Sequence, residues 1–341
     1  MKLNIQQIAD MAQVSKGTVS KVLNGHKGIS AATRERILTL VEKLDYHPDS
    51  SARALALQRT GALGFLIPHD AETSFVGQYW SSILAGISHQ AAKAGYNLMV
   101  LTTPRDGYIQ GVLNRLLKRS TVDGLIIGGE LLDKESLSSL IVNRIPFVLL
   151  GQQSEFSHHC VDVDNHHGTS LLVNHMVDQG YRRIGALLGP ARYSYVKERL
   201  RGYRETLTQR GISWSVQAHS EYASLEIRKE LNELLDRQPD MEALFLGSGG
   251  DFMFDAVHVL RDRGLSIPKF GIGVFDDYSF LDVMTPRITA VAQPLPKIGE
   301  TSVDLLLRLL QEVPDTNQLI QLPTKLVIRE SCGENLGNRL P

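Results

Sequence analysis

The segment from Ser15 to Lys21 carries basic and small polar side chains at spacings that suit contacts with nucleic acid. If a helix begins after Ser15, helical spacing turns Val19, Val22 and Leu23 inward and leaves the opposite face polar. Ser15 then caps the helix, and the outward positions are Lys16, Gly17, Thr18, Ser20 and Lys21. Ammonium and hydroxyl groups of this kind bind phosphate oxygens and base edges in the major groove of DNA. The segment therefore predicts a DNA-reading helix.

Two further helices must hold that helix in place. Asn4 can cap a first helix, and Gln7 can complete a capping box with it. Ser30 can cap a third helix, whose predicted buried stripe is Ile37, Leu38, Val41 and Leu44. This order predicts a helix-turn-helix within a small all-α headpiece over residues 1–48. From the first two helices alone, a plain structural hairpin is the alternative.

The headpiece is followed by a segment with little apolar surface of its own. His47 and Pro48 stop the third helix, and the alanine-rich run over 50–57 is too short to be stable as an isolated helix. We therefore expect residues 49–60 to form a hinge helix and linker that is folded only conditionally.

Basic charge is confined to this end of the chain. The 341 residues carry a net charge of −1, but residues 1–60 hold nine Lys or Arg against five Asp or Glu, and the remainder holds 27 against 32. The headpiece can therefore attract phosphate although the chain as a whole is slightly acidic.

Beyond residue 60, short apolar runs alternate with amphipathic helical patterns. The runs lack sustained polar alternation, which is typical of parallel strands covered on both faces. The predicted strands are 62–67, 97–101, 124–127, 147–150, 183–188, 243–246 and 270–275. The predicted helices are 81–94, 168–179, 198–210, 225–236, 254–263 and 297–312. Residues 61–332 therefore predict an α/β body, a class that says nothing about chemistry by itself.

The chain resembles the lactose-repressor/galactose-repressor (LacI/GalR) family of bacterial transcription regulators over nearly its whole length. The matching residues are Ile8-Ala9-Asp10, the run from Val14 to Asn24, Ser30, Thr33-Arg34, Tyr46-His47-Pro48 and Ala52-Arg53-Ala54-Leu55. The resemblance implies a two-lobed body like that of periplasmic sugar-binding proteins, with parallel sheets and a small molecule between the lobes. It also implies three crossovers between the lobes, which we place near 160–161, 291–292 and 322–323.

The resemblance further implies how the headpiece binds DNA. Two headpieces of a homodimer would bind a palindromic operator in double-stranded DNA, with Asn24 and His26 supporting the reading helix. The hinge helix would bring Ala52, Arg53 and Leu55 to the minor groove, where Leu55 wedges between base pairs. Closing of the lobes on a ligand would change the spacing of the headpieces and so control DNA binding.

Arg199 and Asp276 match effector-binding positions of the family and give the strongest ligand signal. A guanidinium and a carboxylate that face one cleft can bind adjacent hydroxyl groups, so a sugar or sugar derivative is the expected effector. An interlobe salt bridge or solvated charges are the alternative. Arg201 is the residue most easily mistaken for Arg199.

Three more residues extend the predicted effector site. Tyr79 and Trp80 can stack on a sugar ring, although core packing explains them nearly as well. Asp251 follows the run Gly247–Gly250, where relatives commonly carry an Asn-Asp pair, and it can supply a second ligand-binding carboxylate. The missing Asn permits a different effector, and the glycines could instead admit an anion to backbone amides.

The sequence gives no positive support for an enzymatic, cofactor-binding or metal-binding function. The chain lacks a complete dinucleotide fingerprint, a phosphate loop and a Ser nucleophile elbow, so neither an enzyme nor a cofactor is predicted. Residues 158–167 concentrate His, Cys and Asp, but the resemblance places an ordinary lobe-crossing strand there, and no metal is predicted. Two cysteines, the lack of a membrane-length apolar run and the lack of a signal peptide lead us to expect a cytoplasmic protein without membrane contact.

The sequence thus predicts a homodimeric DNA-binding transcriptional regulator that is controlled by a small-molecule effector, with repression as the usual mode in the family. A regulator controlled by a protein partner or corepressor, with a vestigial cleft, is the alternative, and an enzyme with an appended DNA-binding head is a third. The C-terminal tail, 333–341, offers only two leucines among glycines. A leucine heptad helix for tetramer formation is therefore not expected.

Overall fold

The structure is a computed structural model that describes residues 3–23, 26, 28–46, 59–67, 78–103, 109–119, 121–128, 132, 134–152, 158–311 and 317–333. The chain divides into two compact units. The first holds Met1–Gly61 and Ser120–Asp123, and the second holds Ala62–Arg119 and Gly124–Pro341.

The helices of the first unit are α1 Ile5–Met11, α2 Lys16–Leu23 and α3 Ala31–Lys43. Asn4 and Gln7 form the predicted capping box, and the Ser30 side chain caps α3. The buried core consists of Ile8, Ala9, Ala12, Val19, Val22, Ile37 and Tyr46. Leu38 is 45% exposed, so its predicted place in the buried stripe is wrong. It follows Ile37 and is therefore rotated by about 100° around the helix from the buried face.

The second unit contains two lobes, each built on a six-stranded sheet. The strands of the N-lobe are β1 Ala62–Ile67, β2 Asn97–Thr102, β3 Gly124–Gly128, β4 Phe147–Leu150, β5 Cys160–Val163 and β11 Leu319–Leu322. They are all parallel, in the order β11-β5-β4-β3-β1-β2. The helices of this lobe are α4 Gln78–Lys93, α5 Ile109–Arg119, α6 Lys134–Val142 and α11 Leu295–Leu310.

The C-lobe repeats this arrangement with one antiparallel edge. Its strands are β6 Ile184–Leu188, β7 Val216–His219, β8 Ala243–Leu246, β9 Gly271–Phe275, β10 Thr289–Ala292 and β12 Lys325–Val327. Their order is β12-β10-β9-β8-β6-β7, and only the pairing of β12 with β10 is antiparallel. The helices are α7 Asn165–Asp178, α8 Ser194–Gln209, α9 Ser224–Arg237 and α10 Asp251–Asp262, and two short 3-10 helices cover Ser279–Asp282 and Glu330–Cys332.

The chain passes between the lobes three times, close to the predicted positions. It leaves the N-lobe after β5, returns to it after β10, and leaves it again after β11. The links are Asp164, the pair 293–294 and the pair 323–324. Because each crossover lies next to the end of a strand, the links hold the two sets of strand ends close together, where open parallel sheets bind ligands.

The predicted strands are present, and β5 lies where the resemblance implied a lobe-crossing strand. Four others were missed, namely β7, β10, β11 and β12. Of these, β7, β11 and β12 lie at sheet edges, where the burial is partial and the apolar signal is weak. Helices α5 and α6 were also missed. Among the described helices, none is long and apolar enough to cross a membrane.

Close helix pairs fix the position of the cleft side chains. The α7–α8 contact depends on Gly202, where a Cβ atom would lie 2.5 Å from the carbonyl oxygen of His166. The α4–α11 contact depends on Gly86 in the same way, with a Cβ atom 1.9 Å from the Pro296 carbonyl oxygen. Only a residue without a side chain allows the backbones to approach this closely.

Candidate functional site

The second helix of the first unit presents a polar face. Val19 and Val22 are buried, whereas Lys16, Gly17 and Lys21 are exposed and Thr18 and Ser20 are partly exposed. The turn before it contains Gln13 with a φ of 52°, a left-handed conformation that is uncommon outside glycine. This tight turn is what places α2 across α1, as in a helix-turn-helix.

Hydroxyl groups at the start of α2 are bonded to each other. Ser15 Oγ accepts a hydrogen bond from the N–H of Thr18 at 3.1 Å and lies 2.9 Å from Thr18 Oγ1. Ser15 is therefore the predicted helix cap, and the two hydroxyls present a joined polar surface at the N-terminus of the helix.

The loop after α2 is tied to α3 by a residue that sequence reasoning left without a role. Arg34 donates from Nη2 to the carbonyl oxygen of His26 at 2.6 Å, and the His26 N–H donates to Lys21 O at 2.9 Å. The His26 side chain is exposed. The DNA-contact predictions for Asn24, Ala52, Arg53 and Leu55 lie outside the described residues.

The cleft of the second unit is centred on Asp276, which directly follows β9. It has a φ of 81° and is only 5% exposed. Non-glycine residues in this conformation are strained and cluster at functional sites. Burial raises the pKa of Asp276, while the positive charge of Arg199 and a hydrogen bond from Gln293 Nε2 to Oδ1 lower it. The fold thus holds a carboxylate in water-poor surroundings that only partly compensate its charge.

Arg199 reaches this carboxylate from α8 and is 4% exposed. Its Nη1 lies 3.8 Å from Asp276 Oδ2 and donates to the Gly247 carbonyl oxygen at 2.9 Å, while its Nε donates to Asn165 Oδ1 at 2.9 Å. The guanidinium also lies over the Phe275 ring, 3.6 Å from its centre. Nη2 forms no hydrogen bond with the described residues, and the guanidinium also lies over the Tyr195 ring, 4.7 Å from its centre.

Arg201, the residue most easily confused with Arg199, points away from this cluster. Its side chain is 52% exposed and pairs with Glu198 at 2.5 Å and Glu205 at 3.7 Å on the same helix. The two arginines are two positions apart, about 200° around a helix, so only one of them can face the cleft.

Two further polar residues belong to the cluster and were not assigned to it from the sequence. Asn165 begins α7, and Asp162 lies in β5. Asp162 accepts from the N–H groups of Gln152 and Val163 at 2.9 and 2.7 Å and from Asn165 Nδ2 at 3.3 Å. Burial raises its pKa, and the Gln152 and Val163 bonds and Arg199 lower it. Their position directly around the first crossover is the signal that could have identified them.

Aromatic side chains border the cluster on the C-lobe. The hydroxyl groups of Tyr195 and Tyr222 contact each other, and a Cβ atom on Gly189 would lie 3.0 Å from the Tyr222 hydroxyl. Ser248 Oγ accepts from the Gly189 N–H at 2.5 Å, which joins the ends of β6 and β8. Gly249, in the glycine-rich run, has a φ of +84°, a turn that requires glycine.

The other predicted effector residues lie in mixed surroundings. Tyr79 and Trp80 are partly buried, contact each other edge to face at 4.9 Å, and pack against the N-lobe core. The packing alternative therefore accounts for part of both side chains. Asp251 is the first residue of α10.

The concentration of His, Cys and Asp in residues 158–167 is used structurally. Cys160 is buried in β5, which raises its pKa, and Asp164 caps α7 by accepting from the N–H of His167 at 2.8 Å. Across the described residues, no group of three or more such side chains could hold a metal ion.

One pair of hydrogen bonds joins the lobes directly. Gln78 Nε2 donates to Ser279 Oγ at 2.7 Å, and the Ser279 N–H donates to Gln78 Oε1 at 3.0 Å. Tyr278 and Phe280, on either side of Ser279, pack against the N-lobe core. The loop that follows Asp276 is therefore docked on the opposite lobe.

A helix-turn-helix unit and a two-lobed body with a buried polar cleft define a DNA-binding transcriptional regulator. The family description "Bacterial regulatory proteins, lacI family" matches residues 4–49, and "Periplasmic binding protein-like domain" matches residues 173–332. The regulator CelR of Thermobifida fusca is 30% identical over 337 residues, which cover 96% of this chain and 97% of that protein. The chain belongs to the lacI family of bacterial regulatory proteins.

Other relatives and solved structures agree. Catabolite control protein A of Priestia megaterium is 27% identical over 343 residues, 97% of this chain and 99% of that protein. A CelR–cellobiose complex matches with a TM-score of 0.75 and 26% identity, covering 96% of this chain and 99% of that one. A lac repressor dimer bound to operator and the anti-inducer ONPF has a TM-score of 0.85, 24% identity and coverage of 98% and 100%, a likeness of fold. The relatives are transcriptional regulators, and this chain is a regulator rather than an enzyme.

Proposed function

We propose that the protein is a homodimeric repressor that binds a palindromic operator and is controlled by a neutral, polyhydroxylated effector, a sugar or close derivative, in the cleft between the lobes. The observation that carries this proposal is the buried pair of Arg199 and Asp276, which leaves a donor and a partly compensated carboxylate available at the strand ends. Adjacent sugar hydroxyls can donate to the carboxylate and accept from the guanidinium.

The charge of the cluster favours a neutral ligand over an anion. Asp276 is buried and Asp162 is partly buried, and the positive charge of the single guanidinium of Arg199 acts on both carboxyl groups. A phosphorylated sugar would add negative charge to this group, at a high desolvation cost. The CelR–cellobiose complex, which this chain resembles, supports the same class of ligand.

The segment boundaries and the other contact residues are proposed from their positions in the sequence and the fold. We propose that residues 1–48 bind DNA, 49–60 form the hinge, 61–332 bind effector and dimerise, and 333–341 form a tail. The proposed DNA contacts are Ser15, Lys16, Gly17, Thr18, Ser20, Lys21, Asn24, His26, Ala52, Arg53 and Leu55. The proposed effector contacts are Tyr79, Trp80, Arg199, Asp251 and Asp276, with Asn165 and Tyr222 added from the cleft geometry. Such a regulator acts in the cytoplasm, where the DNA is.

A second copy of the chain is the proposed occupant of an exposed apolar patch on the C-lobe. Leu225, Phe254 and Val283 are 81%, 57% and 79% exposed. Phe254 stacks on Phe280 with 4.5 Å between ring centres, and Val283 lies three positions after Phe280, whose carbonyl oxygen accepts from the Val283 N–H at 3.2 Å. Exposed apolar side chains that lie together mark interaction surfaces, and a palindromic operator needs a two-fold partner.

Selection of bound duplexes from random DNA tests the DNA-binding half of the proposal. We expect a palindromic consensus, which the selected duplex then provides as the operator in every later assay. Recovery of unrelated sequences only would reject operator recognition.

Calorimetry with cellobiose and with a panel of neutral and phosphorylated sugars tests the effector half. We expect a neutral sugar to bind, and Arg199→Lys to weaken that binding by roughly tenfold or more, because an ammonium group cannot reproduce the guanidinium fork. Arg201→Lys, on the exposed face of the same helix, is the matched control. If no sugar binds while the operator does, control by a protein partner or corepressor becomes the better assignment.

Sedimentation equilibrium of two matched variants tests the dimer surface. Val283→Glu should shift the protein towards monomer, because it buries a charge in the proposed contact. Val142→Glu changes a valine that is also 79% exposed but lies in α6 of the N-lobe, and it should leave the dimer intact. Equal behaviour of the two variants would remove the C-lobe patch from the interface.

A further inference from the structure

One carboxylate holds the last two residues before the body. Asp123 Oδ1 accepts from the Thr60 N–H at 2.5 Å and from Thr60 Oγ1 at 2.8 Å, and Asp123 Oδ2 accepts from the Gly61 N–H at 3.0 Å. All three residues belong to the first compact unit. We call this set of three hydrogen bonds the Asp123 clamp.

The clamp lies where two neighbouring strands begin. Gly61 directly precedes β1 and Asp123 directly precedes β3, and these strands pair in parallel with Leu63 opposite Gly124. Parallel strands start at the same edge of a sheet, so the turn before β3 lies beside the chain that enters β1. The carboxylate can therefore bridge the two without any change in either strand.

The local backbone is shaped for this contact. Gly61 has a φ of +68°, which side-chain-bearing residues rarely adopt, and a Cβ atom there would meet nothing within 4 Å. Glycine is therefore needed for its conformation and not for space. The turn directs two consecutive N–H groups at one carboxylate, an arrangement typical of backbone anion sites.

Each bond of the clamp joins a neutral donor to an oxygen of the Asp123 carboxylate. Bonds of this kind are shorter and stronger than bonds between neutral groups. Loss of the carboxylate would leave two backbone N–H groups at a part-buried position without their acceptor. The Asp123 clamp therefore stabilises the conformation of Thr60 and Gly61, which form the C-terminal end of the linker.

We infer that Asp123 is a positioning residue that fixes the exit direction of the linker and so sets the half-site spacing that the regulator accepts. This inference rests on the proposed function, because spacing matters only if two headpieces bind one operator. A linker that is anchored at Thr60 and Gly61 has fewer conformations than a free one. A linker released there gains these two residues as free chain and so accepts a wider range of half-site spacings.

Limited proteolysis with trypsin tests the anchoring step without DNA. We expect Asp123→Ala to be cut at the Arg59–Thr60 bond about tenfold faster than the wild type, measured by mass spectrometry as a ratio to cuts in the C-lobe, because release of the bond network exposes this backbone. A general loss of stability would speed all cuts and leave the ratio unchanged. An unchanged ratio overturns the clamp.

Operators with altered half-site spacing test the functional step. The selected duplex is lengthened or shortened by one and two base pairs at its centre, and affinity is measured for each duplex. The wild type should bind one spacing best, and Asp123→Ala should bind the altered spacings within about threefold of the best, since a freed linker adapts to them. A spacing profile identical to that of the wild type overturns the inference, even if the linker is cut faster.

Two more variants make the outcome decisive. Asp123→Asn keeps the side-chain shape but presents an NH2 group to one of the two N–H donors, so it should give an intermediate profile and remains a valid test if Asp123→Ala does not fold. Glu135→Gln neutralises an exposed carboxylate in α6 and should match the wild type. If the wild type selects no palindrome, the proposed function fails and the inference fails with it, whatever the proteolysis shows.

Discussion

At the scale of single residues, the cleft contains charged side chains whose burial costs free energy. Asp276 is nearly fully buried with a left-handed backbone, and its only ion-pair partner among the described residues, Arg199, is 3.8 Å away. A ligand that supplies hydrogen-bond donors would stabilise such a site, because the carboxylate oxygens can accept further hydrogen bonds. Under the proposed assignment of Asp276 to the effector site, effector binding and stability are linked through this one side chain.

Replacement of Asp276 by Asn should change how stability depends on pH. The pKa of Asp276 is raised above its ordinary 3.8 in the folded protein, so the carboxylic acid form is favoured by folding. Its contribution is present below the unfolded pKa and is lost as pH rises through the folded pKa. In ligand-free protein, we expect the wild type to lose free energy of unfolding relative to Asp276→Asn as the pH rises above the unfolded pKa of about 4.

Urea unfolding at several pH values measures this difference. Asp277→Asn is the neighbouring control, since Asp277 is bound to Arg329 at 2.8 Å and has a different environment. A difference between wild type and Asp276→Asn that stays constant with pH would show that burial does not raise the pKa.

At the scale of elements, helix packing decides where the polar groups stand. Asn165 at the start of α7 meets Arg199 on α8 only because Gly202 allows the two helices to touch. The site is therefore as sensitive to small apolar changes between these helices as to changes in its own side chains.

Gly202→Ala tests the dependence on this helix contact. The added methyl group would lie 2.5 Å from a backbone oxygen, so we expect the body to lose about 1–3 kcal/mol and to bind effector more weakly. Thr208→Ala, on the exposed side of α8, is the control and should cause little change. Thermal and urea unfolding, with calorimetry for the ligand, provide the measurement. Wild-type stability would mean that the helices can separate freely.

The salt dependence of operator binding can show which of the exposed lysines of α2 contact phosphate groups. We expect Lys16→Ala or Lys21→Ala to weaken operator binding, and a phosphate-contacting lysine to lower the slope of log affinity against log salt by about one. A base-contacting lysine should also relax preference at one operator position. Titrations at several salt concentrations separate these cases, with Lys43→Ala on α3 as control. Unchanged affinity for both variants would remove α2 from the interface.

At the scale of the whole molecule, the lobes of the body are joined by more than their three links. The paired hydrogen bonds of Gln78 with Ser279 connect α4 to the loop after Asp276, with Tyr278 and Phe280 packed beside them. These contacts hold the two lobes against each other. A change in the angle between the lobes would have to break or rearrange them.

Hydrogen exchange can detect this interlobe contact at one amide. In Gln78→Ala the Ser279 N–H loses its acceptor, so its exchange should become faster. Gln90→Ala is the matched control, because Gln90 lies on the same helix and binds Asp304 within the N-lobe at 2.5 Å. Equal exchange at Ser279 in both variants and the wild type would mean that the pair does not persist in solution.

The last residues before the C-terminal tail are held within the C-lobe. Ser331 and Cys332 are fully buried, and Ser331 Oγ donates to the Ile272 carbonyl oxygen at 2.6 Å. A tail deletion intended to test for tetramer formation must therefore begin after Gly333, since removing the two preceding residues would damage the C-lobe.

Local pattern was sufficient for the headpiece and for the more apolar strands. Capping residues and helical periodicity act between near neighbours, so Asn4, Ser15 and Ser30 marked helix starts that the structure contains. The run over 243–246 became β8 without a shift of boundary, because a short apolar segment buried on both faces leaves little choice.

Tertiary structure alone decided which distant polar groups meet. Nothing in the sequence pairs Asn165 with Arg199, Asp123 with Thr60, or Gln78 with Ser279, because these contacts depend on helix packing and strand order across 34, 63 and 201 positions. The same cause explains the missed edge strands, whose partial burial weakens their apolar signal. The sequence by itself determined the class of protein and its local elements, whereas the three-dimensional packing determined the environment, and hence the chemistry, of each polar group.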